Sequence, residues 1–284
     1  MRWMVTGAKG MLGTDATALL RDRGHDVVGV DLGDLELTDP TAVKAALDDV
    51  DVVLNCAAWT AVDDAESQED AALVANATIP SVIAGAAAAT GTRMVQISTD
   101  YVFAGDATAP YAEDAPMSPA SAYGRTKGAG ETAVRDALPD RHLIVRTAWL
   151  YGAHGNCFPR TIARVAAERG AVSVVDDQVG QPTWTRDVAD LVARLVDADA
   201  PAGTYHATSG GETSWFGFAQ RIVAAAGLDP SIVTPTDSTA FQRPAPRPAY
   251  SVLGHGALER LDVAPIGDWA ERWALASAEV LAAP

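Results

Sequence analysis

The chain has 284 residues, a formal net charge of −16 at pH 7 and a hydrophobic fraction of 48%, which together favour a folded protein with a substantial core and argue against disorder. The negative net charge argues against nucleic acid or an anionic membrane as a partner. The sequence has no run of about 18 uninterrupted apolar residues, so we expect no membrane span. The first residues are too short an apolar run for a signal peptide, and Cys56 and Cys157 lack metal-ligand spacing, so we expect reduced thiols in a cytoplasmic protein.

The N-terminal segment predicts a strand, a glycine loop and a helix. Residues 2–6 are an apolar run, and Gly7, Gly10 and Gly13 follow with the spacing G-x-x-G-x-x-G. Glycines permit a tight turn and a close approach of the backbone to a pyrophosphate, whose charge is stabilised by the N-terminus of the next helix. We therefore expect a dinucleotide at this loop.

The second strand, residues 26–30, ends at Asp31. A carboxylate at this position accepts hydrogen bonds from an adenosine ribose and repels a 2′-phosphate, which favours NADH over NADPH. Lys9, together with Arg2 or Arg23, can offset that repulsion, and a solvated aspartate at a strand end is the alternative interpretation.

Further strands follow at residues 51–58 and 93–98, separated by an alanine-rich helix over residues 67–90. Repeated strand–helix units predict an α/β fold with a doubly wound parallel sheet of the Rossmann type, in which ligands bind at the carboxyl ends of the strands. Four motifs fall at those ends: residues 7–13, Asp31, residues 57–60 and residues 98–100.

Tyr123 and Lys127 are four residues apart, so both lie on one face of a helix. There the ammonium can stabilise a phenolate and lower the pKa of the tyrosine from about 10 towards neutrality. Such a phenol can pass a proton to a carbonyl oxygen while hydride reaches the carbonyl carbon. For the pair alone, an ordinary surface contact is the alternative, and Thr99 completes a candidate hydroxyl–phenol–ammonium set.

The second half of the chain loses the strict strand–helix alternation, so we divide the chain into a dinucleotide-binding domain, 1–152, and a smaller, mainly helical substrate domain, 153–284. Thr185 and Ser214 are predicted to cap two of its helices. The predicted helices are 158–169, 185–197, 214–226 and 268–281. The predicted strands are 171–175 and 204–207, which either extend the main sheet or form an accessory one.

A proline-rich segment, residues 235–248, contains Arg243 and Arg247. We expect it to form a loop over the substrate, with Arg247 holding a pyrophosphate through two parallel hydrogen bonds. A flexible linker is the alternative.

Six segments carry a resemblance to a known family. They are residues 98–103, 123–131, 146–152, 177–183, 214–219 and 247–253. With the glycine loop, they resemble in order the dTDP-4-dehydrorhamnose reductases of the extended short-chain dehydrogenase/reductase superfamily. One departure is Ala104, where relatives often have aspartate, which puts a contact around the site in doubt.

The resemblance implies an NAD(P)H-dependent oxidoreductase that reduces the C4 keto group of a dTDP-4-keto-6-deoxyhexose, with dTDP-4-dehydro-L-rhamnose as the favoured substrate. Tyr123 would protonate the C4 oxygen, Lys127 would bind the nicotinamide ribose, and Thr99 would hydrogen-bond the carbonyl. The implied cofactor-binding residues are Gly7, Gly10, Met11, Leu12, Gly13, Asp31, Ala57, Ala58, Thr60, Tyr123 and Lys127. The implied substrate-binding residues are Thr99, Asp100, Trp149 and Arg247.

Several points stay open. Resemblance favours NADPH whereas Asp31 favours NADH, and a homodimer is possible. Asp15 is a weak candidate for binding a magnesium ion between subunits, although the helix dipole also explains an aspartate in a first helical turn.

Other functions are also considered. They are a 4-ketoreductase of another dTDP-deoxysugar in an antibiotic-type pathway, a non-catalytic regulatory subunit, and an epimerase or dehydratase. A 4,6-dehydratase typically has an Asp-Glu pair near the triad hydroxyl, and here Thr99 is followed by Asp100 and Tyr101, so reduction is preferred.

Overall fold

Residues 1–282 are described by a computed structural model of the chain. The strands are β1 (Arg2–Thr6), β2 (Asp26–Val30), β3 (Val52–Asn55), β4 (Arg93–Thr99), β5 (His142–Thr147), β6 (Leu150–Tyr151), β7 (Val172–Val175), β8 (Val179–Gly180), β9 (Thr183–Trp184), β10 (Gly203–His206), β11 (Thr213–Ser214) and β12 (Val233–Thr236). The helices are α1 (Met11–Asp22), α2 (Pro40–Leu47), α3 (Val62–Ala65), α4 (Glu69–Leu73), α5 (Ile79–Thr90), α6 (Ala122–Ala137), α7 (Phe158–Arg169), α8 (Thr185–Asp197), α9 (Trp215–Ala225), α10 (Gly256–Arg260) and α11 (Trp269–Ala282).

The main sheet has six parallel strands in the order β10–β5–β4–β3–β1–β2. Alternate side chains of each strand point to opposite faces, and both faces are buried. Trp3 and Val5 belong to the core shared with α1 and α8, whereas Met4 belongs to the core shared with α2 and α5. The predicted doubly wound parallel sheet is confirmed.

The predicted helix over residues 67–90 contains a π-helical segment, Val74–Thr78, between α4 and α5. Proline at residue 80 cannot donate to the carbonyl four residues earlier, and this missing hydrogen bond helps to explain the altered winding. By length and mean hydropathy (1.6), Glu69–Thr90 is the one candidate membrane span among residues 1–282, a test that the core helix of a soluble protein also passes. Here α2 and α6 pack against α5.

A further core lies where α7, α9 and α11 pack together, and it includes Phe218 of α9, Trp273 of α11 and Tyr151 of β6. The two predicted strands of the second half are expected either to extend the main sheet or to form an accessory one. The first, β7, pairs with β12 in a small accessory sheet, and the second, β10, extends the main sheet beside β5.

The predicted caps of two helices have different outcomes. Ser214 caps α9, since its hydroxyl accepts a hydrogen bond from the backbone N–H of Gly217 at 3.1 Å. The predicted cap at Thr185 is wrong. That residue is the first residue of α8, and its hydroxyl donates instead to Asp15 Oδ2 at 2.5 Å.

Candidate active site

A cavity of about 810 Å³ lies at the carboxyl edge of the main sheet. Most of the predicted site residues line it, because each follows a strand of that sheet or begins the helix after it. The lining residues among them are Gly7, Gly10, Met11, Leu12, Gly13, Asp31, Ala57, Ala58, Thr60, Thr99, Asp100, Tyr123, Lys127 and Trp149. Arg247 and Asp15 are outside the wall.

The glycine loop forms a cradle that side chains would fill. Gly7 has φ of +64°, and a Cβ there would lie 2.8 Å from the backbone nitrogen of Ala57. A Cβ at Gly13 would lie 2.1 Å from the carbonyl oxygen of Gly7, which itself accepts a hydrogen bond from the Gly10 N–H at 3.0 Å. The bare backbone at the start of α1 therefore fits a pyrophosphate.

Asp31 is a fixed negative charge at the end of β2. Its Oδ2 accepts a hydrogen bond from the Lys9 backbone N–H at 2.7 Å, and its Oδ1 accepts one from the Leu32 N–H at 2.8 Å. These two bonds hold the pKa of Asp31 below its ordinary value. A second carboxylate, Glu36, also lines this part of the cavity.

Tyr123 lies in the first turn of α6. The helix begins there because the Ser121 hydroxyl accepts a hydrogen bond from the Gly124 N–H at 3.1 Å. Helix α6 and the segment after β4 approach closely, since a Cβ at Gly124 would lie 2.1 Å from the carbonyl oxygen of Tyr101. The side chain of Thr99 lies beside the Tyr123 phenol and acts on its pKa.

The hydroxyl of Thr99 is held next to a carboxylate. It donates to Asp100 Oδ1 at 2.9 Å and accepts from the Tyr101 backbone N–H at 3.2 Å. Burial raises the pKa of Tyr123 to about 12; the Asp100 charge also raises it, and the neighbouring Thr99 side chain lowers it. The expected lowering of the tyrosine pKa towards neutrality is therefore wrong in this structure.

Lys127 does not lower the pKa of Tyr123 because its ammonium is bound elsewhere. It is buried in the next turn of α6, and its Nζ donates to the carbonyl oxygen of Ile97 at 2.7 Å. Burial lowers the pKa of Lys127 to about 8, and the nearby charge of Glu131 opposes that shift.

Two buried oxygens at the cavity wall have no hydrogen-bond partner. They are Asp100 Oδ2 and Thr147 Oγ1, at the ends of the neighbouring strands β4 and β5. Both atoms are fully covered by the protein, and the Ser251 side chain lies close enough to Asp100 to lower its pKa, so these oxygens do not face open space in the cavity. Thr147 was not among the predicted residues, although it is paired in register with Thr99 and belongs to one of the segments that carry the resemblance.

Trp149 is held in one orientation. Its backbone has φ of +46°, its indole stacks on Trp215 with a centroid distance of 3.5 Å, and Gly180 lies against the ring. Trp215 is a further candidate, which the sequence offered only as a member of the segment 214–219. A rigid aromatic wall of this kind suits a sugar or a base.

Arg247 lies at the side of Tyr101, on which its charge acts. Its Nη2 is 2.9 Å from Asp63 Oδ2, and its Nη1 donates to the carbonyl oxygen of Ala245 at 2.9 Å. Arg243 is 3.9 Å from the same carboxylate oxygen. The proline-rich segment is thus tied to α3, beside the cavity.

Asp15 is engaged within the fold. Besides the Thr185 hydroxyl, it faces His154, whose Nε2 is 3.6 Å from Asp15 Oδ1. Within residues 1–282, no group of three or more His, Cys, Asp or Glu side chains is arranged to hold a metal ion.

Comparison with known proteins gives consistent matches along the whole chain. The family model described as RmlD substrate binding domain matches residues 1–281. The chain is 47% identical to the probable dTDP-4,6-dihydroxy-2-methyloxan-3-one 4-ketoreductase of Streptomyces antibioticus, over 100% of this chain and 97% of that protein. It is 48% identical to the dTDP-4-dehydrorhamnose reductase of Streptomyces griseus, over 94% of this chain and 90% of that protein.

A solved structure has the same fold. The dTDP-4-dehydrorhamnose reductase of Bacillus anthracis, determined in complex with NADP, superposes with a TM-score of 0.93 at 35% identity. The match covers 98% of this chain and 99% of that one.

Proposed function

We propose that this chain, which belongs to the dTDP-4-dehydrorhamnose reductase family, reduces the C4 keto group of a dTDP-4-keto-6-deoxyhexose with NAD(P)H. The favoured reaction converts dTDP-4-dehydro-L-rhamnose to dTDP-L-rhamnose. The observation that carries the proposal is that Thr99, Tyr123 and Lys127 lie together in the wall of one cavity, with Lys127 one helical turn from Tyr123.

Tyr123 acts as the general acid. With a pKa of about 12 the phenol is fully protonated at pH 7, so it can donate its proton to the developing alkoxide at C4. Thr99 offers a second hydroxyl beside it; once this hydroxyl turns from Asp100 Oδ1 towards the substrate, it would stabilise charge on the same oxygen. When bound, the reduced nicotinamide coenzyme supplies the hydride.

Residues 1–152 would bind the coenzyme and also supply sugar contacts at their carboxyl-edge residues, and 153–284 would be mostly a substrate-binding domain. At the sugar, Asp100 and Thr147 would form part of the polar wall, and the Trp149–Trp215 stack would form the opposing apolar surface. Arg247 would hold the diphosphate, for which a guanidinium is geometrically suited.

We infer a preference for NADH over NADPH. Asp31 is kept ionised by two backbone N–H groups, and Glu36 adds a second negative charge to the same part of the wall. The nearest lysine, Lys9, has its ammonium 3.5 Å from Asp34, which weakens its attraction for a 2′-phosphate. Because a relative was crystallised with NADP, the two coenzymes need direct comparison.

The test of this preference is the ratio of kcat/KM for NADH and NADPH. In Asp31→Ala, removal of the fixed charge should shift that ratio towards NADPH by roughly tenfold, about 1.4 kcal/mol. Asp26→Ala, an exposed aspartate at the other end of β2, is the control. A wild-type protein that prefers NADPH would contradict the inference.

A second candidate substrate is another dTDP-deoxysugar of an antibiotic-type pathway. It is supported by the name of the Streptomyces antibioticus relative, which matches at nearly the same identity as the rhamnose-type relative. A non-catalytic regulatory subunit has less support, since Thr99, Tyr123 and Lys127 are all present.

The deciding experiment uses purified protein, dTDP-4-keto-6-deoxyglucose with and without a 3,5-epimerase, and each coenzyme. Oxidation of coenzyme only with the epimerase supports the rhamnose reaction, and oxidation without it supports a different 4-keto sugar. No oxidation under either condition would contradict the proposed reductase. We place the reaction in the cytoplasm, in keeping with a soluble biosynthetic enzyme.

A further inference from the structure

We propose that Ser98, Glu131 and Arg146 form a buried clamp that positions Thr99 and Tyr123 against each other. This inference rests on the proposed reductase function and deepens it. The three residues belong to three different elements, β4, α6 and β5, and all are almost fully buried.

Glu131 is the centre of the clamp. It lies four residues after Lys127 and eight after Tyr123, on the same face of α6. Its Oε1 accepts hydrogen bonds from Ser98 Oγ at 2.6 Å and from Arg146 Nε at 2.8 Å. Its Oε2 accepts one from Arg146 Nη2 at 2.8 Å and one from Arg135 Nη2 at 2.7 Å.

Arg146 is itself fixed from several sides. Its Nη1 donates to the carbonyl oxygen of Glu113 at 3.1 Å, and its guanidinium lies over the ring of Phe103, 4.8 Å from the centroid. Ser98 and Arg146 are also register partners in the sheet. A carboxylate held by such a partner cannot shift without breaking several bonds at once.

The clamp and Lys127 tie β4 to α6 at two successive residues. Lys127 donates to the carbonyl oxygen of Ile97, and Ser98 donates to Glu131, so two bonds cross between strand and helix directly before Thr99. Successive side chains leave a strand on opposite sides. Ser98 can therefore anchor the strand to the helix while Thr99 faces the cavity, and the clamp sets the distance from Thr99 to the Tyr123 phenol.

Stability alone does not require the Ser98 bond. Glu131 and Arg146 already satisfy each other through two parallel hydrogen bonds, and Arg135 adds a third partner. Loss of the Ser98 hydroxyl leaves no buried charge unpaired, so we expect a small effect on folding and a larger one on alignment.

Glu131 also acts electrostatically on the site. Its negative charge favours the protonated form of Lys127 against the effect of burial. Glu131→Gln keeps the shape of the side chain but removes this charge, so Lys127 should lose its proton at a lower pH.

The test compares the wild type with Ser98→Ala, Glu131→Gln and a control, Thr132→Ala. Thr132 follows Glu131 in the same helix, is exposed, and its hydroxyl only donates to the carbonyl oxygen of Gly128. The measurements are kcat, KM, the deuterium isotope effect with coenzyme deuterated at the transferred position, the pH profile of kcat/KM, and the melting temperature.

In Ser98→Ala we expect kcat to fall roughly tenfold, with KM changed less than about twofold and a larger isotope effect, because misaligned groups slow the chemical step. In Glu131→Gln the alkaline limb of the pH profile of kcat/KM should move to lower pH, because Lys127 loses the negative charge that favours its protonated form. Thr132→Ala should match the wild type.

The outcomes separate the two proposals. A wild type that reduces no 4-keto sugar contradicts the proposed function and the clamp with it. An active wild type with unchanged kcat and isotope effect in Ser98→Ala overturns the clamp alone. If Glu131→Gln does not fold because its buried ion pair is broken, Ser98→Ala decides by itself, since it keeps that pair.

Discussion

Gly180→Ala tests whether the fixed orientation of Trp149 matters for substrate binding. A Cβ on Gly180 would lie 2.5 Å from Cε2 and 2.7 Å from both Cζ2 and Nε1 of the Trp149 indole. An ordinary contact is about 3.5 Å, so the ring must retreat by about 1 Å. Trp215 stacks on that ring at 3.5 Å, so the displacement disturbs both tryptophans.

The magnitude follows from the cost of overpacking a tight contact, about 1–3 kcal/mol. If that cost falls on the substrate-bound form, the KM for the dTDP-sugar rises by roughly 5- to 150-fold. The glycine loop and Asp31 are untouched, so the Kd of the coenzyme should change far less.

The assay measures KM for the sugar nucleotide by coenzyme oxidation, Kd for dTDP by calorimetry and the melting temperature. Gly203→Ala is the matched control, because a Cβ there meets no atom closer than 3.9 Å. A folded Gly180→Ala protein whose KM stays within twofold of that control would refute a role for the Trp149–Trp215 stack in substrate binding.

Three further predictions concern the proton donor, the lysine and the arginine loop. Tyr123→Phe should lower kcat by roughly 10²- to 10⁴-fold with coenzyme affinity kept, measured by steady-state kinetics and coenzyme titration; undiminished activity would exclude Tyr123 as the acid. Because the pKa of Lys127 is lowered to about 8, kcat/KM should fall as the pH rises through about 8, and a profile flat to pH 10 would contradict a required ammonium. Asp63→Asn removes the charge that competes for Arg247, so calorimetry should show dTDP binding about 1.5- to 5-fold more tightly, the range of a partly exposed surface ion pair. Asp64→Asn is the control, and weaker binding in Asp63→Asn would mean that Asp63 positions the loop instead.

The sequence predicts well those features that depend on neighbouring residues. The glycine loop, Asp31 and the buried strands are recognisable because periodicity and turn chemistry are local, and a parallel sheet brings strand ends to one edge. For that reason the pattern of strands and loops is enough to bring residues as distant as Gly7 and Tyr123 to one edge of the sheet, and both line the same cavity.

Features that depend on distant partners could not be predicted. Threonine is a residue type that often caps helices, but the Thr185 hydroxyl donates its hydrogen bond to Asp15, 170 residues away. Thr147 becomes a candidate only when the register of β5 against β4 is known, and Trp215 only when its ring is seen on Trp149. In each case the decisive contact joins residues that are far apart in the chain.

The protonation state of Tyr123 shows why this matters for the chemistry. The spacing of Tyr123 and Lys127 predicts a phenol with a pKa lowered towards neutrality, which would serve either direction of the reaction. Burial instead raises its pKa to about 12, and Lys127 donates to the Ile97 carbonyl. A protonated phenol is the form that reduction consumes, whereas alcohol oxidation needs the phenolate. Ionisation of Tyr123 should therefore leave the rate of reduction unchanged near pH 7, while oxidation should accelerate about tenfold for each unit of pH until Lys127 loses its proton near pH 8.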